Sequence, residues 1–289
     1  MSLPLRFAAP DALDYFAALV AEDAHFPLLE AAVLLGQDAE PGLDAQGVLD
    51  EVDRLAERLR SRLPADAAPL HRLRMLNRYF FHELGFGGNA NDFYDPQNSY
   101  LHRVLQTRRG IPVSLAVLYM ELAGQIGLPA LGVSFPGHFL VKLHLPAGEV
   151  VLDPLDGRSL AREELEERLE PFCAQRGLVG DDEVPLGLFL QAAAPRDILA
   201  RMLGNLKSIH QTAGDPVAGL AVQQRLVRLL PEAWEEWRDR GLLLAELGQP
   251  QTAAEDLALY LREQPDAEDA PTLRQRLQAL REGPAPRWH

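Results

Sequence analysis

Residues 98–129 read NSYLHRVLQTRRGIPVSLAVLYMELAGQIGLP. A polar, Asn-started turn leads through Tyr100 into the short helical pattern of SYLHRVLQTR, and Arg108-Arg109-Gly110 interrupts it. Gly110-Ile111-Pro112 then opens an apolar helix, because proline is tolerated in a first turn whose N–H groups lack intrahelical partners. Ser114 falls in that first turn. Two later segments point back at it: His138 in FPGHFLVK and Asp153 in VVLDPLDG. A helix N-terminus stabilises an anion and offers backbone N–H groups to an oxyanion. A serine hydroxyl placed there needs a base to take its proton, and His138 oriented by Asp153 is a candidate for that work. The competing reading makes Ser114 a first-turn helix residue, His138 a strand-end residue and Asp153 a turn former before Pro154.

The preceding 84 residues read as helical. Asp11 is placed to cap a helix carrying Tyr15, Phe16, Leu19 and Val20. Pro27 opens LLEAAVLLG, apolar nearly all round and hence expected to be buried. Val48, Val52, Leu55 and Leu59 follow at helical spacing, and after PADAAP a further helix sets Leu73, Leu76, Phe80 and Leu84 on one face. No catalytic spacing occurs in these helices, so His25, His71 and His82 are read as structural or solvated. The Gly- and Asn-rich stretch 85–100, GFGGNANDFYDPQNSY, is a loop. Tyr94, Asp95, Asn98 and Tyr100, with Arg109, are its candidate binding residues; the alternative is that Asp95 and Asn98 cap the turn.

The convincing strands come after residue 129. ALGVSF is short and β-suited, HFLVKLHL alternates Phe139, Val141 and Leu143 against Leu140, Lys142 and His144, and VVLDP follows Gly148. Together they predict an antiparallel meander. From Ile198 the chain is helical again. Pro231 and Pro265 are spaced by the tetratricopeptide period of about 34 residues. Trp237, Gly241, Leu244, Ala253, Leu257 and Pro265 fall at the positions such a repeat requires. The preceding unit has Lys207 where the glycine is expected, and PTLRQRLQALRE reads as a capping helix. The division expected is a helical N-terminal part with the core over 1–190 and helical repeats over 195–289.

The matching stretches LLEAAVLLG, LNRYFFHELGFGGN, DFYDPQNSYLHRVLQTRRGIPVSLAVLY, GVSFPGHFLVKL and VLDPLDG resemble the SirB1 family over residues 25 to 170, and the repeat tail is usual there. The resemblance implies an α+β, papain-like transglutaminase core followed by an all-α repeat region. In it Ser114, His138 and Asp153 stand where the larger superfamily has Cys, His and Asp. Serine removes the thiol on which acyl transfer in that superfamily depends and leaves its two partners.

Composition narrows the function further. Of 289 residues 47% are hydrophobic and 24% charged, the balance of a soluble globular chain. The 42 acidic against 28 basic residues, a net charge of −14, argue against nucleic-acid or anionic-membrane binding. No apolar run approaches the roughly 20 residues of a spanning helix, and no signal-peptide core is read at the N-terminus, so a cytoplasmic protein is expected. The single cysteine, Cys173, excludes an internal disulfide and reads as a buried apolar filler. His138 and His144 on one strand lie about 20 Å apart at 3.3 Å per residue, too far to share a metal. No cofactor and no metal are therefore expected. Two functions follow: a protein- or peptide-binding scaffold without transglutaminase activity, or a serine-dependent hydrolase or acyltransferase on amide or ester bonds using Ser114, His138 and Asp153.

Overall fold

A computed structural model describes residues 11–89, 92, 94–178 and 184–282. These divide into two compact units: Pro27–Met202, and the described residues of Met1–Phe26 together with those of Leu203–His289. The sequence suggested a break between 190 and 195. The difference lies partly in the first helix, α1 (Ala12–Leu19), which joins the repeats. Asp11 caps it, accepting from the Asp14 N–H at 2.7 Å. Its Phe16 is fully buried, with the Arg225 guanidinium 4.8 Å above the ring. A cation over an aromatic face and a buried ring together hold α1 to that unit.

The Pro27–Met202 unit begins with α2 (Leu28–Leu34), whose Ala31, Ala32, Val33 and Leu34 are all buried, as an all-apolar helix requires. In α3 (Ala45–Arg60) Val52, Leu55 and Leu59 face inward. The next helix, α4 (Pro69–Asn77), runs into a π-helical turn over Arg78–Glu83, where the Leu84 N–H donates to the Tyr79 carbonyl at 2.8 Å. That wider turn is invisible to a 3.6-residue reading. It brings Phe80 and Phe86 into a stack at 4.4 Å.

Two glycines, β1 (Gly87–Gly88), pair in parallel with β2 (Arg109–Gly110), which separates α5 (Leu101–Thr107) from α6 (Pro112–Gln125). The expected meander follows as β3 (Ala130–Val133), β4 (Leu140–Leu145) and β5 (Gly148–Leu152), antiparallel in the order β3-β4-β5. The sequence alternation suggested a half-buried β4, yet Phe139 to Leu143 are all buried. Leu140 packs with Leu165 and Leu169 of α7 (Arg162–Arg176), while α6 lies against β3 and β4. Lys142 is tolerated between them because its ammonium donates to the Leu190 carbonyl at 2.7 Å. Leu190 follows the one-turn α8 (Leu186–Phe189).

The chain's longest helix among the described residues, α9 (Pro195–Ala213), contains the division at Met202. Helices α10 (Pro216–Leu229), α11 (Trp234–Glu246), α12 (Pro250–Glu263) and α13 (Ala270–Glu282) complete the repeats. Ala253 and Leu257 are fully buried between α11 and α12, and Leu273 and Leu277 of the capping helix close the end. Among the described residues no helix is long and apolar enough to cross a membrane.

Candidate functional site

Gly110 sets the start of α6. A Cβ there would lie 2.7 Å from Ser114 Oγ and 3.1 Å from both Leu115 Cγ and Val104 Cγ1, so only glycine fits. The hydroxyl it makes room for is fully buried. Ser114 Oγ lies 2.7 Å from the Asn98 carbonyl and 3.0 Å from the Ile111 carbonyl, acceptors for its one proton. It accepts in turn from the Ile111 N–H at 3.1 Å, the reach of a third-position serine back to the cap backbone. The same N–H also lies 3.2 Å from the Asn98 carbonyl. Ser114 thereby latches the turn at Asn98 to the helix.

His138 follows Gly137, whose φ of 71° turns the chain out of β3. Asp153 closes β5. Its Oδ1 lies 2.9 Å from His138 Nε2 and accepts the Leu155 N–H at 3.1 Å; its Oδ2 accepts Arg168 Nη1 at 3.2 Å. A carboxylate can only accept, so Nε2 carries the proton and Nδ1 is the ring nitrogen left for other work. Burial pushes the Asp153 carboxyl up, but the His138 bond and charge, the Leu155 N–H and the Arg168 guanidinium outweigh it and hold its pKa below the ordinary value.

Two of the three candidate residues are therefore joined. Among the described residues no hydrogen bond links Ser114 to His138. The His138 ring is held through Nε2 by Asp153, whereas the Ser114 proton already has a carbonyl acceptor. Arg168 was not legible beforehand, because α7 is dense in charged residues and the Asp153 partner lies 15 residues away.

The loop candidates separate. Asp95 caps the turn at Pro96–Asn98, accepting the Gln97 N–H at 2.9 Å. Asn98 is buried, its amide donating to the Asp92 carbonyl at 2.7 Å and accepting from the Asn89 amide at 3.1 Å. Tyr100 is buried in the core, while Tyr94 is 76% exposed. Arg109 lines an open pocket of about 550 Å³ with Phe81, His82, Phe86 and Asp156, its Nη1 donating to the Gly85 carbonyl at 2.7 Å. Among the described residues no group of three or more His, Cys, Asp or Glu side chains is arranged for a metal.

The apolar helix α6 lies against the antiparallel sheet β3-β4-β5, with the joined His138–Asp153 pair at the sheet's end, and this architecture is that of a transglutaminase-like protein. The transglutaminase-like superfamily model matches residues 46–204, and a tetratricopeptide repeat model matches 206–278. Two UPF0162 proteins are similar over nearly the whole chain. That of Xylella fastidiosa strain 9a5c is 39% identical over 254 residues, covering 88% of this chain and 89% of its own. That of Pseudomonas aeruginosa is 33% identical over 240 residues, with 82% and 86% covered. Protein SirB1 of Salmonella typhimurium is 25% identical over 241 residues, with 83% and 87% covered. The chain belongs to the SirB1 family. No solved structure matches it significantly.

Proposed function

We propose that this protein is a protein- or peptide-binding scaffold built on a transglutaminase-like core, without transglutaminase activity, working in the cytoplasm. One observation carries the reading: Ser114, which the family resemblance sets at the nucleophile position, is fully buried and its hydroxyl is bonded to the Asn98 and Ile111 backbone. A group so placed stabilises a loop and cannot meet an acyl carbon without unpacking. The tetratricopeptide repeats support the same reading, since such repeats are in general protein-interaction modules. The net charge of −14 favours a polypeptide over a nucleic acid.

The test is a peptide array probed with the full chain, beside variants in the Arg109 pocket and in the repeat surface. Loss of defined spots in either variant is expected; unchanged spots in both would overturn the reading. A second reading, a serine-dependent hydrolase or acyltransferase, is favoured by the intact His138–Asp153 pair. Labelling by a fluorophosphonate that disappears in Ser114→Ala would establish it in place of the first.

A further inference from the structure

The first helical repeat holds a second cavity, of about 260 Å³, among α9, α10 and α11. Its walls divide by chemistry. Pro216, Gly219 and Leu243 form an apolar side, and a methyl placed on Gly219 would touch Leu243 at ordinary contact distance, 3.7 Å. The polar side includes Gln223, Asp215 and Glu246. Lys207 also lines the cavity, but its ammonium is held 2.6 Å from Glu236 Oε2 and 2.7 Å from Asp239 Oδ2, so two carboxylates offset its charge.

Gln223 is the informative residue. It is fully buried, and its amide nitrogen donates to the Glu236 carbonyl at 2.7 Å and to the Glu236 carboxylate. Both partners are acceptors, so the amide cannot be turned round. Its Oε1 is thereby committed to the opposite side, and among the described residues that oxygen has no hydrogen-bond partner. A buried acceptor without a donor is costly, and a native fold rarely keeps one without a use. Asp215 and Glu246 add two exposed carboxylates to the same cavity. Asp215 spends one oxygen on the Ala218 N–H at 3.0 Å.

We propose that this cavity receives the side chain of a lysine from a partner polypeptide. Its methylenes lie along Leu243 and Pro216, and its ammonium donates to Gln223 Oε1 beside the Asp215 and Glu246 carboxylates. An apolar wall leading to acceptors is the complement of a long aliphatic stem with a cationic tip. The inference rests on the scaffold reading and names the partner chemistry that one of its surfaces would recognise.

The experiment titrates the full, isotope-labelled chain with the tripeptide acetyl-Gly-Lys-Gly-amide. Resonances of the Leu243 methyls and the Gln223 side-chain amide are followed, with the Nζ-acetyl-lysine tripeptide as comparator. Saturable shifts at both residues in the millimolar range are expected, absent with the acetylated peptide. Gln223→Met should abolish them. Because that position is buried, Glu246→Gln at the exposed rim provides a second variant, expected to weaken binding roughly threefold. Shifts that fail to saturate, that are equal for both peptides, or that are unaltered in Glu246→Gln would overturn the assignment. That failure would leave array binding through other surfaces untouched, whereas serine labelling would overturn the scaffold reading and leave the cavity result standing.

Discussion

The Ser114 hydroxyl donates across 16 residues of sequence to the Asn98 carbonyl at 2.7 Å. One bond thus fastens the loop before α5 to the first turn of α6. Ser114→Ala removes that donor, but the Ile111 N–H stays within 3.2 Å of the same carbonyl. The acceptor is not wholly stranded, so a loss of about 1 kcal/mol is expected. It would be read as a lowered urea midpoint with an unchanged slope.

Burial makes a second demand on the same site. In a Cys173→Ala background, Ser114→Cys places a thiol where the native residue is fully buried. Iodoacetamide should leave it unmodified in the native state and alkylate it in urea. Rapid alkylation of the folded protein would mean that the helix start opens to solvent, and would return the serine-hydrolase reading to the front.

The surroundings of Asp153 predict an acid limb. Its carboxyl titrates below the ordinary value in the folded chain, because His138, Leu155 and Arg168 together outweigh burial. The unfolded chain therefore takes up the proton first. The stabilisation is complete above about pH 3.9 and is lost as pH falls from there through the lower folded value. Asp153→Asn should destabilise the protein at neutral pH and flatten this part of the curve of urea midpoint against pH. An unchanged acid limb would sever the proposed link.

His102 governs a milder window. Its side chain is 2% exposed, and a Cβ on Gly36 would lie only 2.4 Å from its Nδ1. Burial, then the nearby Arg103 charge, lower its pKa against the pull of Glu40. The unfolded imidazole binds a proton more readily, so stability falls as pH drops from about 6.5 toward the lower folded value. His102→Phe keeps a ring of similar size and removes the titration. The midpoint should then become flatter over this window, while the more acidic limb to which Asp153 contributes is unchanged.

The contrast between these sites shows what a linear chain displays. Gly110-Ile111-Pro112, the meander and the spacing from Trp237 to Pro265 are local patterns, and each became the element it suggested. The direction of the Ser114 hydroxyl is set by a backbone carbonyl 16 residues away. Carbonyls have no identity in a sequence, so that partner leaves no mark. The burial of β4 on both faces was hidden by Lys142, whose polarity mimicked a solvent face until Leu190 supplied an acceptor. Arg168 and the docking of Phe16 under Arg225 depend on tertiary approach in the same way.

Two repeat glycines separate propensity from packing. In open helix, Gly→Ala is favourable by up to about 1 kcal/mol. A Cβ on Gly219 would find its nearest neighbour, Leu243, at 3.7 Å, so Gly219→Ala should leave stability unchanged or raised. A Cβ on Gly241 would meet Asp256 Cβ and Leu257 Cγ and Cδ2, all at 3.1 Å. Neither neighbour has room to retreat: Leu257 is fully buried, and Asp256 is held by Arg240 through two bonds of 2.7 Å. Overpacking of this kind costs about 1–3 kcal/mol, enough to reverse the propensity gain. Gly241→Ala should therefore lower the urea midpoint, followed by the fluorescence of Trp234 and Trp237 in the same helix. A midpoint raised equally by both substitutions would show that α11 and α12 can separate at Gly241, and that the glycine is not what sets their approach.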